Sequence, residues 1–80
     1  MRDFFEVYEN IKKAAGADFS VRLDNASGFW APETLWFKLF QFVNKYMKKD
    51  SKDPTSIKVY AILCNTSEEE MKEKFEKDGF

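Results

Sequence analysis

Cys64 is the residue of this sequence whose chemistry depends most on its neighbours. Cys64-Asn65-Thr66-Ser67 has a C-x-x-S spacing that some thiol oxidoreductases share, and a helix is predicted to start just after it. A helix N-terminus stabilises a thiolate. The sequence contains no second Cys and no His that could assist the thiol or complete a metal site. We therefore interpret Cys64 as a small core residue without thiol chemistry.

Carboxylates are numerous, but turns and helix ends explain their positions. Asp18, Asp24 and Glu33 lie around the predicted hairpin and the start of the helix that follows it. Glu68 to Glu70 open a predicted helix, where the helix dipole favours acidic side chains. No glycine-rich phosphate loop, G-x-S-x-G motif or nucleotide-binding fingerprint is present. We predict no catalytic residues, no metal site and no cofactor, and the chain is not expected to be an enzyme.

A row of lysines on and after the predicted central helix is the candidate phosphate-contacting surface: Lys38, Lys45, Lys48, Lys49 and Lys52. On a helical wheel of about 100° per residue, Lys38, Lys45 and Lys49 lie within about 40° of one another. Such a stripe could meet phosphates, and the nearby Gln41 and Asn44 could hydrogen-bond to bases. The formal net charge is −1, however, whereas dedicated nucleic-acid binders are strongly basic. Nucleic-acid binding is therefore the alternative function.

The aromatic residues, with nine Phe, three Tyr and two Trp, are more numerous than a core of this size obviously needs. Phe37 falls outside the apolar arc of the central helix, and Phe29 and Trp30 precede that helix in a polar loop. We predict that Phe29, Trp30 and Phe37 form an exposed patch that binds a protein partner or a second copy. Two alternatives stay open: the loop could fold over these rings and bury them, or they could dock on a membrane surface.

The N-terminal half is predicted to contain a helix followed by a hairpin. Apolar residues in 4–15 recur at helical spacing, Asp3 is placed to cap the helix and Gly16 to end it. Residues 19–23 alternate between apolar and polar side chains, which is typical of a half-buried strand. The predicted hairpin covers residues 18–31.

The C-terminal half is predicted to contain the main core helix over 32–49 and a central strand over 57–64. The strand segment is apolar on both faces apart from Lys58, as in a strand covered on both sides. A last helix is predicted after Thr66 and Ser67, either of which can form a capping box with a glutamate three residues later.

The apolar arc of the main helix spans about 160° on the wheel. Its members are Leu35, Trp36, Leu39, Phe40, Phe42, Val43, Tyr46 and Met47. We predict a core in which part of this arc meets the central strand. The residues of that core are Leu39, Val43, Tyr46, Val59, Ala61 and Leu63.

These elements predict a single α+β domain over residues 1–80. The expected fold is a small two-layer domain in which three helices pack on a two- or three-stranded sheet, in the order α-β-(β)-α-β-α. The alternative is a βαβ unit with parallel strands, and the sequence does not decide between them.

Length, charge and cysteine content narrow the class of protein. No segment is long and apolar enough to span a bilayer, and a single Cys favours a reducing, cytoplasmic environment. By elimination we predict a non-catalytic protein-binding module. It would resemble in size the phage- or mobile-element-type inhibitors and adaptors that act by binding a larger protein.

Overall fold

The computed structural model describes residues 3–77, and all the regular structure in that range is helical. The elements are α1 (Phe4–Ala15), α2 (Ala17–Ser27), a 3-10 turn (Pro32–Thr34), α3 (Leu35–Tyr46), α4 (Pro54–Cys64) and α5 (Glu68–Lys77). No strand occurs between residues 3 and 77. The predicted α+β fold is therefore wrong, and so is the βαβ alternative.

Helix α1 begins and ends where its sequence predicts. The Asp3 carboxylate accepts a hydrogen bond from the Phe5 N–H at 3.0 Å and caps the first turn. Gly16 ends the helix with φ 96° and ψ 174°, a backbone conformation that side-chain-bearing residues rarely adopt. The Gly16 N–H donates to the Lys12 carbonyl, and the Gly16 carbonyl accepts from the Ser20 N–H. One glycine thus ends α1 and starts α2.

Helix α2 replaces the predicted hairpin. Phe19 and Leu23, which are four residues apart, are both buried, whereas Val21 between them is 59% exposed. In a strand all three side chains would share a face, but on a helix Val21 is turned about 200° away from Phe19. The alternation in residues 19–23 was misleading because only two of its three apolar members reach the core.

Helix α4 replaces the predicted central strand. Asp53 caps its start by accepting hydrogen bonds from the N–H groups of Thr55 at 3.1 Å and Ser56 at 3.4 Å. Pro54 occupies the first turn, and Asn65 ends the helix in the left-handed conformation with φ 56°. The segment is apolar on both faces because α1, α3 and α5 all pack against it. A helix surrounded in this way lacks the apolar and polar periodicity that distinguishes helix from strand.

The predicted core is largely confirmed despite the wrong element types. Leu39, Val43, Val59, Ala61 and Leu63 are all buried. Tyr46 was placed wrongly, because it is the last residue of α3 and is 41% exposed.

Helix α5 is capped by Thr66 and Ser67, the residues that its sequence predicts. The Ser67 hydroxyl accepts from the Glu70 N–H at 3.1 Å, and the Thr66 hydroxyl donates to the Glu70 carboxylate. Its two buried residues, Met71 and Phe75, face α4, and the Phe75 ring meets Tyr60 edge to face at 5.4 Å. Most of this helix is exposed.

Candidate functional site

Helix α3 has a wide apolar face, and the other helices of the domain cover only part of it. Only Leu39, Phe42 and Val43 are buried among its residues. Trp36 and Phe40, which belong to the predicted core-facing arc, are 39% and 40% exposed. A large part of the predicted core face of α3 therefore belongs to the molecular surface.

The exposed aromatic residues of α3 continue onto α1. The half-buried Phe4 ring contacts Trp36 edge to face, with ring centroids 5.3 Å apart, and contacts Phe5 in the same way at 5.5 Å. Phe5 itself is 67% exposed, and Phe37 is 62% exposed. We call the four exposed residues Phe5, Trp36, Phe37 and Phe40 the aromatic patch.

The aromatic patch is large for so small a domain. With about 200 Å² for a whole aromatic side chain, the four exposed fractions leave roughly 400 Å² of aromatic surface in solvent. Contiguous apolar patches of about 300–600 Å² are the largest that typical monomers expose, and they are often functional. The patch therefore has the composition and extent of an interaction surface.

Charged side chains follow one edge of the patch along α3. On the helical wheel Phe40 and Trp36 lie to one side of Phe37, whereas Lys38 and Lys45 lie about 80–100° away on the other side. Both lysines are exposed, and no acidic residue occurs between Thr34 and Lys49. Phe37 thus lies between an aromatic edge and a basic edge of the same helix.

The three aromatic residues that the sequence predicted as one exposed patch differ in burial, since Phe29 and Phe37 are exposed and Trp30 is half-buried. Phe29 is 92% exposed and makes no ring contact with another aromatic residue within 3–77. Trp30 is half-buried against the core, with its ring 6.2 Å from that of Phe42. Backbone hydrogen bonds from Phe29 to Ala26 and from Trp30 to Ser27 fold this loop back onto the end of α2. Of the three, Phe37 is the one that lies on α3 together with Trp36 and Phe40, and for that reason it is the one included in the aromatic patch.

The lysines predicted to contact phosphate are all exposed, but they do not form one helical stripe. Because α3 ends at Tyr46, Lys48, Lys49 and Lys52 follow in the connection to α4. The Lys45 ammonium lies 5.3 Å from the ring centre of Tyr46, and that of Lys49 lies 6.0 Å from Tyr60. Lys38 and Lys45 remain aligned on α3.

A second cluster of polar side chains joins α1 to α2, and sequence reasoning missed it. The Tyr8 hydroxyl donates to an Asp24 carboxylate oxygen at 2.6 Å and lies 2.9 Å from the Ser27 hydroxyl. The Lys12 ammonium forms an ion pair with the other Asp24 oxygen at 3.0 Å. The only sequence signal would have been the alignment of Tyr8 and Lys12 on one helix, opposite Asp24 and Ser27 on the next.

The electrostatics of this cluster indicate a structural contact. Burial, and then the hydrogen bond to Asp24, raise the pKa of Tyr8 above 10.0. The hydrogen bonds from Tyr8 and Lys12 lower the pKa of Asp24, and the same contact with Asp24 raises the pKa of Lys12. A tyrosine that acts as a general base near neutral pH needs a lowered pKa. The cluster is therefore suited to holding two helices together.

An open groove of about 920 Å³ lies between α1, α4 and the start of α5. Its apolar floor includes Val7 and Ala61, and Asp3, Glu6 and Glu68 line it together with other polar side chains. Within residues 3–77 no three His, Cys, Asp or Glu side chains are grouped so that they could hold a metal ion. The groove therefore offers carboxylates that are not grouped as metal ligands among the described residues.

Cys64 is the last residue of α4 and is half-buried. The sequence predicted it at the end of a strand, so this placement corrects that prediction. A helix C-terminus carries negative partial charge, which does not favour a thiolate. The thiol therefore gains no activation from the helix to which it belongs.

The sequence matches no protein-family model, and no curated protein and no solved structure is significantly similar to the chain. In the part of the chain that the structure describes, no helix combines the length and the hydrophobicity that crossing a bilayer requires.

Proposed function

We propose that this chain is a non-catalytic protein-binding module and that the aromatic patch is its binding surface. The observation that carries the proposal is the exposure of Phe37 and Phe40 on α3 and of Phe5 on α1, two helices whose aromatic residues are linked by the Phe4–Trp36 contact. Leaving these rings in water contributes nothing to folding, whereas burying them against a partner would be strongly favourable. Rigid aromatic side chains on helices also lose little conformational entropy on binding.

The size of the domain suits an inhibitor or adaptor that covers part of a larger protein, of the kind that phages and mobile elements encode. A standard interface buries about 800 Å² on each partner, so the patch would supply about half of that area. Surrounding polar side chains would form the rim. Phe29, which is exposed in the loop before α3, could extend the surface but is not required by the proposal.

Selection of peptide ligands tests this proposal and does not require an identified partner. Random peptides of about 16 residues, long enough for roughly four helical turns, are displayed on phage and selected on the immobilised protein. The enriched peptides are then tested against Phe37→Ala and against Val21→Ala. Val21 is a matched control because it is 59% exposed on α2, outside the patch.

We expect Phe37→Ala to weaken binding about tenfold or more, as hot-spot aromatics do, and Val21→Ala to leave it unchanged. Enriched peptides that bind Phe37→Ala as tightly as the unaltered protein would contradict the proposal. The loss of binding must occur without loss of helicity, which circular dichroism checks.

Binding of single-stranded nucleic acid is the second candidate, favoured by the exposed lysines beside aromatic rings on α3. If Lys38 and Lys45 contact phosphates, the logarithm of the binding constant should fall with the logarithm of salt concentration by about 0.7 per neutralised phosphate. We expect no tight complex at physiological salt, because the chain has a formal net charge of −1. A sub-micromolar, salt-sensitive complex with an oligonucleotide would place this function first.

A further inference from the structure

We infer that the partner of the aromatic patch is an acidic amphipathic segment of another protein, lying along α3. This inference rests on the proposed function, because it assigns the chemistry of the ligand for the same surface. It starts from the asymmetry of α3, whose exposed face has aromatic residues on one edge and lysines on the other.

The basic edge is set by two lysines that are seven residues apart. Lys38 and Lys45 lie within about 20° of each other on the wheel and about 10 Å apart along the helix axis. Both are exposed, and neither has an acidic residue on α3 with which to pair. A ligand with carboxylates at a matching spacing would meet both ammonium groups.

The apolar part of the ligand would cover Phe37 and the aromatic edge. Phe37 lies between Phe40 and the lysines, so a helix or extended segment with an apolar stripe beside an acidic stripe matches this arrangement. The acidic residues of α1 that adjoin Phe5 lie on the other helix, and Glu9 is within 3.7 Å of the Lys12 ammonium. On α3 itself, the two charged side chains, Lys38 and Lys45, are both basic.

The same features argue against a second copy of the chain. If two α3 helices met face to face, their lysines would come close together and repel one another. No carboxylate of α3 could pair with them, because α3 contains none. The patch also exposes roughly 400 Å² of aromatic surface, which is less than half of the about 1,000 Å² or more per partner that many obligate dimers bury. A short segment of another protein fits this area better.

The experiment uses the peptides enriched on the immobilised protein and their binding to charge variants. We expect most enriched peptides to carry net negative charge beside an apolar stripe. Reversal of both lysines (Lys38→Glu with Lys45→Glu) should weaken binding about tenfold or more, and neutralisation (Lys38→Gln with Lys45→Gln) should weaken it less. The control is Lys72→Glu with Lys74→Glu, which makes the same charge change on exposed residues of α5 and should leave binding unchanged.

Each other outcome has a defined meaning. Peptides that need Phe37 but are neutral or basic, and that tolerate reversal of Lys38 and Lys45, would overturn this inference and leave the proposed function standing. Peptides that do not need Phe37 would remove both. Three further measurements test other occupants of the patch: light scattering for a dimer, and binding assays with an oligothymidine and with anionic vesicles. If the protein dimerises or binds one of these ligands, and Phe37→Ala abolishes that association, the inference is overturned in favour of that occupant.

Discussion

The rings of Phe4 and Trp36 meet edge to face with their centroids 5.3 Å apart, at the start of α1 and the start of α3. Phe4 also contacts Phe5, so it links the exposed Phe5 of α1 to Trp36 of α3. Phe4 therefore joins the α1 part of the aromatic patch to its α3 part.

Replacement of Phe4 by leucine should weaken the junction between α1 and α3. An edge-to-face aromatic pair is worth about 0.5–1.5 kcal/mol beyond the area it buries, so we expect the free energy of unfolding to fall by about that amount. Urea denaturation measures the change. The control is Phe29→Leu, which alters a 92% exposed ring that makes no ring contact with another aromatic residue within 3–77, and it should change stability by less than about 0.5 kcal/mol. Equal effects of the two substitutions would show that the Phe4–Trp36 contact contributes nothing specific.

Phe37 and Leu39 are two residues apart on α3 but differ fully in environment, since Phe37 is 62% exposed and Leu39 is 0% exposed. Leu39→Ala should lower the free energy of unfolding by about 2–5 kcal/mol, because it leaves a cavity in the core. Phe37→Ala should change it by less than about 0.5 kcal/mol. Chemical denaturation of the two variants in parallel checks this difference, and a large loss of stability in Phe37→Ala would mean that Phe37 belongs to the core.

Gly16 and Gly28 provide a matched test of backbone conformation. A Cβ added at either glycine would meet no atom within 4 Å, so steric contact is equal for both. Gly16 has φ 96°, however, whereas Gly28 has φ −61°. Gly16→Ala should destabilise the protein by about 1–3 kcal/mol, and Gly28→Ala should not destabilise it. Thermal denaturation that gives the same midpoint for both variants would contradict the conformation of Gly16.

The contact of Tyr8 with Asp24 should make stability depend on pH at both extremes. The pKa of Asp24 is lowered from 3.8 by its hydrogen bonds from Tyr8 and Lys12, so this contribution is present above pH 3.8 and is lost as pH falls through the lowered value. The pKa of Tyr8 is raised above 10.0, so its contribution is lost as pH rises through that raised value.

Tyr8→Phe should therefore cost about 1 kcal/mol near neutral pH, as the loss of one hydrogen bond does, and less at either extreme. The measurement is the difference in unfolding free energy between the unaltered protein and Tyr8→Phe from acid to alkaline pH. Tyr60, whose pKa is also raised mainly by burial, titrates in both proteins and so does not affect this difference. A difference that stays constant with pH would show that the hydroxyl does not interact with the Asp24 carboxylate.

The sequence predicted where helices begin and end better than it predicted which segments are helices and which are strands. Asp3, Gly16 and Ser67 act as the sequence indicates because capping depends on residues adjacent in the chain. The same signals were present around α4, where Asp53 and Pro54 start the helix, but the run of buried apolar residues outweighed them. Local capping chemistry was the better guide there, since burial on several sides removes the periodic signal.

The binding surface could be predicted only in part. Phe37 was identified because it lies outside the apolar arc of its own helix. Trp36 and Phe40 lie inside that arc, and sequence alone does not tell how much of an arc the neighbouring helices cover. The Phe4–Trp36 contact depends on tertiary packing between α1 and α3. Trp30 was misplaced because the loop before α3 folds back against Phe42.

The affinity of an enriched peptide for Phe37→Ala, compared with Val21→Ala, tests the central claim most directly. Fluorescence anisotropy of the labelled peptide gives the dissociation constants of both variants and of the unaltered protein. We predict a loss of about tenfold or more for Phe37→Ala and no change for Val21→Ala, because only Phe37 belongs to the aromatic patch. Equal dissociation constants for the three proteins would contradict the assignment of the aromatic patch as the binding surface.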